Sequence, residues 1–285
     1  MMRKRLIFVF MAALLLLSLC LASCAKKDAG YVVLSEPLAE EQFAIGFRKE
    51  DKALCQAVEK ALVEMKEDGT LAKIDEKWFG KEVSIVDASL ITADATDDSL
   101  SQLQERGKFV LGLDDSFPPM GYRDENNEIV GYDIDVATEV CKRLGVELVL
   151  QPINWTAKEK EINSGNIDCI WNGFSINPER QEQLCLSMPY LQNRQVIVTT
   201  QKLYDKGLQS AEDLAGKTLV LQGGSTAVDA LAKFPDLAAS LKDGAAVEVD
   251  TYVLAMFDLS SGGADAVLMD EVVANYYIAN PAAQE

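Results

Sequence analysis

The sequence predicts an α/β fold in which mostly parallel sheets carry helices on both faces. Short apolar segments typical of strands alternate with segments of helical periodicity along most of the chain, which favours parallel strands joined by helical crossovers. The chain has 285 residues, of which 48% are hydrophobic. This length and composition fit a globular protein with two domains, or with one two-lobed unit that has a sizeable core.

The composition also excludes several classes of function. The net charge is −18, whereas nucleic-acid binding needs clustered lysine and arginine, so we expect no nucleic-acid partner. The chain has no histidine, which excludes Ser-His-Asp and Cys-His nucleophilic sites and histidine-ligated zinc. No two cysteines have the CxxC spacing, so we predict neither a metal site nor a cofactor.

Residues 1–23 have the pattern of an export signal. Three basic residues at positions 3–5 precede an apolar segment from Leu6 to Leu19, and small residues stand before Cys24. The small residues followed by Cys24 are similar to a bacterial lipobox, in which the cysteine is acylated. We therefore predict lipidation of Cys24 and an extracytoplasmic protein that its lipid holds at the membrane. The alternatives are an uncleaved membrane anchor and secretion without lipid.

Residues 43–81 predict a strand followed by two helices. The strand is FAIGF, and Asp51 stands where it can cap the next helix. Gly69 is expected to end that helix, and a second short helix is expected to reach about Trp78. The apolar residues of the first helix recur at helical spacing, namely Leu54, Val58, Ala61, Leu62 and Met65.

The acidic stretch from about Glu82 to Ser101 lacks a strand or helix pattern and is predicted to be a linker. The acidic residues Glu40 and Glu41, and those at 94–98, are predicted to be solvated rather than to bind metal. Later strands are predicted at KFVLGL (108–113), VELVLQ (146–151), NIDCIW (166–171), KTLVLQ (217–222), AAVEVD (245–250) and ADAVLM (264–269).

The run NIDCIWNGFSINPER, residues 166–180, carries the strongest functional signal. It leads from a strand into a predicted polar loop and ends on Arg180, and open α/β sheets bind ligands at the carboxyl ends of strands. A guanidinium there can bind a carboxylate with two parallel hydrogen bonds. The strand at 264–269 ends on Asp270, which could bind an ammonium group. The two residues together predict a clamp for an amino acid.

Each half of this clamp has a simpler interpretation. A single arginine after a strand is most often a surface ion-pair residue, and an aspartate at a strand end is most often a turn or helix cap.

Four motifs, in this order, favour the functional interpretation, namely GLDDSFPPMGYRDENNEIVGYDIDVATEVCKRLG (112–145), the run at 166–180, LQGGSTAVDA (221–230) and MDEVVANYY (269–277). Over about 250 residues the chain resembles the amino-acid-binding family of bacterial solute-binding proteins, the receptors of ABC importers. The resemblance implies a two-lobed periplasmic-binding-protein-like (type II) fold. The segments QFAIGF (42–47) and QVIVTT (195–200) would form its two-strand hinge.

The order of the segments departs from that family. Residues 43–81 resemble the family's carboxyl-terminal segment, and YVVLSEPL (31–38) resembles what precedes it in relatives. We therefore predict a circular permutation joined through the linker at 82–101. Lobe one would be 43–198, and lobe two would be 31–42 plus 199–285. The alternatives are a relic of two tandem receptors that pair between chains as a swapped dimer and an artefact of gene prediction.

The resemblance also implies the contacts of the ligand. Arg180 would bind its carboxylate with added donors from Gly173 and Ser175, and Asp270 would bind its ammonium group. From the opposite lobe, Ser225 and Thr226 would add a hydroxyl and amides at a helix start. Asn172 stands where relatives often have a small hydroxyl residue, so its contact with the ligand is not assigned.

Three further residues are implied as contacts of the ligand side chain. Phe117 and Trp155 align with positions that stack on it, although both could be core aromatics. Asp114, at the end of a strand, could reach the far end of the ligand and favour a cationic side chain or an amide.

The function implied is that of an extracytoplasmic, lipid-anchored receptor. It would bind a polar amino acid by lobe closure and deliver it to an ABC permease, with no catalytic residues. One alternative is an enzyme like the cyclohexadienyl dehydratases that share this scaffold, which would need a positioned general acid. Another is an extracellular amino-acid sensor module.

Overall fold

The structure, a computed structural model, describes residues 30–280. The predicted export signal at 1–23 and the predicted lipidation site Cys24 lie outside the described residues. Within 30–280, every helix is too short or too polar to cross a bilayer.

Strands and helices alternate as predicted. The strands are β1 (Tyr31–Val33), β2 (Ala39–Arg48), β3 (Lys108–Leu113), β4 (Ser116–Phe117), β5 (Gly121–Arg123), β6 (Ile129–Val130), β7 (Glu147–Pro152), β8 (Cys169–Ser175), β9 (Leu184–Leu186), β10 (Leu191–Thr200), β11 (Leu219–Gln222), β12 (Val247–Val249) and β13 (Ala266–Asp270). The α-helices are α1 (Lys52–Glu67), α2 (Thr70–Phe79), α3 (Ser99–Arg106), α4 (Tyr132–Leu144), α5 (Lys158–Asn163), α6 (Pro178–Gln183), α7 (Gln201–Tyr204), α8 (Thr226–Ala232), α9 (Pro235–Ser240), α10 (Tyr252–Ser261) and α11 (Glu271–Ala279).

The sheet has two parallel halves joined by two antiparallel strands. Its order is β12-β11-β13-β10-β2-β8-β3-β7. Strands β3, β7 and β8 are parallel in one half, which we call lobe one. Strands β11, β12 and β13 are parallel in the other half, lobe two. Strands β10 and β2 pair antiparallel between them, so the predicted fold class and its two-strand hinge are confirmed, with one continuous ladder through the hinge.

The strand at the functional run begins later and ends later than predicted. The prediction of a strand at 166–171 followed by a polar loop is wrong, because β8 continues to Ser175. Strand β2 pairs with this continuation, with Phe43 opposite Ser175 and Ala44 opposite Phe174. The register then shifts in a bulge that contains Gly173, whose φ is +56°, a conformation that favours glycine.

The first helix is capped by residues other than the one predicted. The Asp51 carboxylate forms an ion pair with Arg48 at 2.7 Å and makes no side-chain capping bond. Asp97 instead accepts the Ala53 amide at 2.9 Å, and Ser99 Oγ accepts the next amide at 3.0 Å. The segment predicted to be a linker therefore satisfies the helix start, which local sequence alone does not reveal.

The segment at 39–79 shares a hydrophobic core with residues much later in the same chain. Helix α1 ends at Glu67 and α2 begins at Thr70, as the position of Gly69 predicts. Phe43, Phe47 and Leu54 are buried in one cluster with side chains of β3, α4 and β8. This packing fixes β2 between the two halves of the sheet, where the functional site lies.

Candidate functional site

Most of the predicted contact residues line one small cavity between the lobes. Its walls are Phe117, Trp155, Gly173, Ser175, Arg180, Gln222, Ser225, Thr226 and Asp270. Only Asp114 and Asn172, among the predicted contacts, are missing from this lining. They lie next to each other, since the Asp114 amide donates to Asn172 Oδ1 at 3.1 Å.

Arg180 is a buried cation that forms no ion pair with a carboxylate of residues 30–280. Helix α6 positions it, and its amide donates to the N-cap Asn177 at 2.8 Å. The guanidinium donates to the carbonyls of Ser175 at 2.7 Å and Gly224 at 3.5 Å. Its carbon lies 4.1 Å from the centre of the Phe174 ring.

The environment of Arg180 excludes a surface ion pair. The residue is 6% exposed, and burial lowers its pKa. Within residues 30–280, none of the ion pairs includes it. A desolvated guanidinium with unused donors can bind an anionic group.

Lys158 is a second buried cation, which the sequence analysis missed. Its Nζ donates to the carbonyls of Gly224 at 2.9 Å and Trp155 at 3.1 Å. It also pairs with Glu159 at 3.1 Å. Burial, and then the charge of Arg180, lower its pKa. One lysine in a charged run such as KEKE gives no sequence signal of burial.

Asp270 is a buried carboxylate without a cationic partner in the described part of the chain. It stands before α11 but makes no side-chain capping bond. Its Oδ1 accepts Asn193 Nδ2 at 2.6 Å and Gln195 Nε2 at 3.0 Å. Burial, and then the neighbouring Glu41, raise its pKa to about 7. The alternative that Asp270 is a simple helix cap therefore does not hold.

Glu41 enters this site, so the prediction that it is solvated is wrong. Its Oε2 accepts the hydroxyls of Ser175 at 2.8 Å and Thr226 at 3.0 Å. Side chains alternate along a strand, and Glu40 is the exposed member of the pair. The sequence shows that Glu40 and Glu41 are adjacent on a strand, but it does not show which of the two faces the cleft.

Several predicted donors are already used within the protein. The Gly173 amide donates to Asp133 Oδ2 at 2.8 Å, and Ser225 Oγ donates to the Gln222 carbonyl at 2.8 Å. A hydroxyl has one proton, and that of Ser175 goes to Glu41. In this arrangement these three donors already have partners, so their contacts with the ligand carboxylate stay predictions, and Ser175 keeps its lone pairs for a donor.

The predicted aromatic contacts both lie at the cavity. Phe117 and Trp155 are each 6% exposed. The Phe117 ring centre is 5.8 Å from that of Tyr252 in lobe two, and the Trp155 ring meets Phe174 edge-on at 6.0 Å. Their positions suit both a core role and contact with a ligand side chain.

The two lobes are closed onto each other by hydrogen bonds. Asp114, whose pKa burial raises, accepts Gln222 Nε2 at 2.7 Å. Asn177 Nδ2 donates to Asp229 at 2.8 Å. Together with the Lys158 bond to Gly224, these contacts cross from lobe one to lobe two.

Two other cavities are larger than this one, which encloses about 10 Å³ while the lobes are closed. A cavity of about 260 Å³ shares Arg180 and Ser225 with it and leads outward. A larger one, of about 630 Å³, lies within lobe two between residues 34–38 and 234–240. Its ionisable residues are all acidic, so it offers no paired charges for a zwitterion.

Comparison with known proteins identifies relatives for most of the chain. The family described as bacterial extracellular solute-binding proteins, family 3, matches residues 9–81 and 109–245. The L-cystine-binding protein TcyJ of Escherichia coli is 28% identical over 199 residues, which are 67% of this chain and 70% of that protein.

Solved structures of binding proteins with bound amino acids are also similar. An ABC uptake transporter substrate-binding protein from Streptococcus pneumoniae with bound histidine has 36% identity and a TM-score of 0.62, covering 66% of this chain and 75% of that one. The arginine-bound, truncated ArgBP from T. maritima has 34% identity and a TM-score of 0.57, covering 64% and 82% respectively.

Proposed function

The chain belongs to family 3 of the bacterial extracellular solute-binding proteins, and we propose on this premise that it is a receptor for a polar amino acid. The ligand binds between the lobes, and the receptor delivers it to an ABC importer. No step of this function breaks or forms a covalent bond.

One observation carries the proposal, namely that opposite charges face a single cavity without pairing to each other. Arg180 and Asp270 both line the cavity, and neither takes part in an ion pair within residues 30–280. Leaving buried charges uncompensated is costly. A zwitterionic amino acid supplies the missing carboxylate and ammonium group together, so its binding offsets that cost.

The relatives support an amino acid as the ligand and leave its side chain open. Histidine and arginine are bound in the two similar structures, and the Escherichia coli relative is a cystine-binding protein. The cavity of this chain adds Phe117, Trp155 and the amide of Gln222 around the expected side chain. We propose a polar side chain that stacks on these rings.

A ligand screen on residues 25–285 tests this function. Each amino acid is added at increasing concentration while thermal unfolding and tryptophan fluorescence are recorded. A ligand at 100 times its Kd stabilises the fold by about 2.7 kcal/mol, and Trp155 at the cavity should report binding. A cooperative unfolding transition that no amino acid shifts would contradict the proposal.

The proposed anchor and location rest on the sequence pattern before Cys24. Acylation there would hold the receptor outside the membrane, close to its permease. Incorporation of labelled fatty acid into the full chain should be lost in Cys24→Ser. Equal labelling of both proteins would contradict lipidation at this position, and co-purification of the acylated protein with an ABC permease would separate an importer from a sensor module.

We also propose that the chain is a circular permutant that closes within itself. Residues 43–198 would then form lobe one, and 31–42 with 199–285 would form lobe two. The contacts of β2 and α1 with later residues of the same chain support this arrangement. A monomeric mass by light scattering, with full ligand binding, is the expected result. A ligand-binding dimer would favour the swapped arrangement instead.

An enzyme of the cyclohexadienyl-dehydratase type is the second candidate. It needs a general acid in the cavity, and Asp270 has a pKa raised to about 7, which suits proton transfer near neutral pH. Turnover of prephenate, lost in Asp270→Asn, would establish it. Tight binding of an amino acid without turnover of prephenate would exclude it.

A further inference from the structure

Asp270, which lines the cavity, stands beside a second carboxylate, Glu41, although an amino-acid clamp needs only one. Two amide side chains of β10 hold them together. Asn193 Nδ2 lies 2.6 Å from Asp270 Oδ1 and 3.2 Å from Glu41 Oε2. Gln195 Nε2 lies 3.0 Å from Asp270 Oδ1 and 3.1 Å from Glu41 Oε2. Both carboxylates therefore share the same two donors.

This end of the cavity holds more negative charge than the protein neutralises. Neither Glu41 nor Asp270 is in an ion pair within the described range, and the nearby Arg194 pairs with Glu271 instead. Like charges this close disfavour joint ionisation. The burial of Asp270 and the charge of Glu41 together raise its pKa. A cation placed between the two carboxylates would offset their repulsion and lower the pKa of Asp270.

Unpartnered acceptors at the same place point to a donor-rich ligand group. Among residues 30–280, the buried atoms Asn193 Oδ1 and Gln195 Oε1 have no hydrogen-bond partner, and the two residues are only 2% and 0% exposed. Buried polar atoms without partners are rare. An ammonium group has three donors and no acceptor, which matches the two carboxylates and the lone pairs of Ser175.

We propose that Glu41 and Asp270 together bind the ammonium group of the ligand, with Glu41 supplied by the hinge strand β2. This inference rests on the proposed function as an amino-acid receptor. Strand β2 runs between the lobes, and Glu41 already contacts Ser175 of lobe one and Thr226 of lobe two. A ligand that binds Glu41 therefore contacts the hinge and both lobes at once, and stabilises the closed arrangement.

The two-carboxylate subsite makes binding depend on pH. Around Asp270 the charged or titratable groups are Glu41 on β2, Tyr252 on α10 and Arg180 on α6. The pKa of Tyr252 is raised well above its usual value, so Tyr252 does not titrate near neutral pH, whereas Asp270 does. An ammonium group lowers the pKa of Asp270, so binding releases a proton. With a pKa of about 7, affinity should fall about tenfold between pH 8 and pH 6.

The test compares Glu41→Gln with the matched variant Glu40→Gln by calorimetry at pH 6, 7 and 8. The probe is the amino acid that binds the wild-type protein most tightly. Glu41→Gln should bind it about 10- to 100-fold more weakly at pH 8, and the fall in affinity should move to lower pH because Asp270 loses its anionic neighbour. Glu40 is exposed, so Glu40→Gln should bind within about twofold of wild type.

The α-hydroxy acid analogue of the same amino acid, which lacks the ammonium group, provides the specific readout. Wild type and Glu41→Gln should bind it alike. Wild-type affinity and pH profile in Glu41→Gln would overturn the proposal, and so would an equal loss for both ligands, which indicates a structural role. If the wild-type protein binds no amino acid at all, the proposed function itself fails.

Discussion

The two ends of the cavity are built in different ways. The cationic end is mostly local, since Arg180 contacts Phe174, Ser175 and Asn177 within one short run of β8 and α6, beside a longer 3.5 Å contact with Gly224. The anionic end is assembled from distant segments, and Glu41 meets Thr226 across 185 positions of sequence. A short motif can therefore reveal the first end, whereas only the folded chain creates the second.

The two ends are alike in their energetics. Arg180 is satisfied by carbonyl oxygens, and Asp270 by amide groups, so each charge is hydrogen-bonded but not neutralised. Burying such a charge costs free energy of folding. The arrangement orients each charge before a ligand arrives, so less reorganisation is needed on binding.

The largest expected effect on ligand affinity comes from removing Arg180, the cation of the cationic end. Arg180→Ala should weaken amino-acid binding more than about 100-fold, because a buried charge pair with the ligand is lost. Arg180→Lys should weaken it about tenfold or more, since an ammonium group lacks the planar fork. Isothermal titration calorimetry measures both.

The matched control is Arg194→Lys, the same exchange at an exposed ion pair with Glu271. It should bind within about twofold of wild type. If Arg180→Lys and Arg194→Lys bind the amino acid with equal affinity, the cationic end does not bind the carboxylate of the ligand.

The next largest effect concerns the anionic end, where one substitution should lower the affinity for the ligand and raise the thermal stability. Asp270→Asn should bind the ligand about 10- to 100-fold more weakly. The ligand-free variant should nevertheless melt at a higher temperature than wild type at pH 8, because an ionised buried group is removed.

The sign of this stability effect follows from the raised pKa. With a folded pKa of about 7, above the usual value for aspartate, the stabilising proton is bound at low pH and lost as pH rises through 7. The advantage of Asp270→Asn should therefore be smaller at pH 5 than at pH 8 and should disappear only below the usual aspartate pKa of about 3.9, as differential scanning calorimetry can show. A lower melting temperature than wild type at both pH values would contradict it, with exposed Asp236→Asn as the control.

The smallest effect should come from the contacts that close the lobes beside the cavity. Gln222→Ala removes the 2.7 Å bond to Asp114 and should weaken binding about three- to tenfold through a less stable closed state. Small-angle scattering of the ligand-free protein should show a larger radius of gyration than wild type. Gln209→Ala, at an exposed position, should change neither quantity, and an equal result for both variants would exclude a closing role for Gln222.

Some of the site could be predicted because it depends on local order. The strand β3 was predicted at its observed residues, and Arg180 and Asp270 were located from strand ends. The hinge strands were located from the resemblance to the family. Hydrophobic periodicity fixes which segments become strands. Sheet connectivity then brings their carboxyl ends to one edge.

Other features could not be predicted because they depend on which strand lies beside which. The run from Asn172 to Ser175 looks like a loop, yet β2 pairs with it and draws it into the sheet. Pairing of β2 with β10 places Glu41 opposite Asn193, where it accepts a hydrogen bond from the Ser175 hydroxyl. The sequence therefore determined the elements, the fold class and the local cationic end of the cavity. Only the tertiary structure decided the anionic end, because its shared hydrogen bonds exist only after the hinge strand has joined the two lobes.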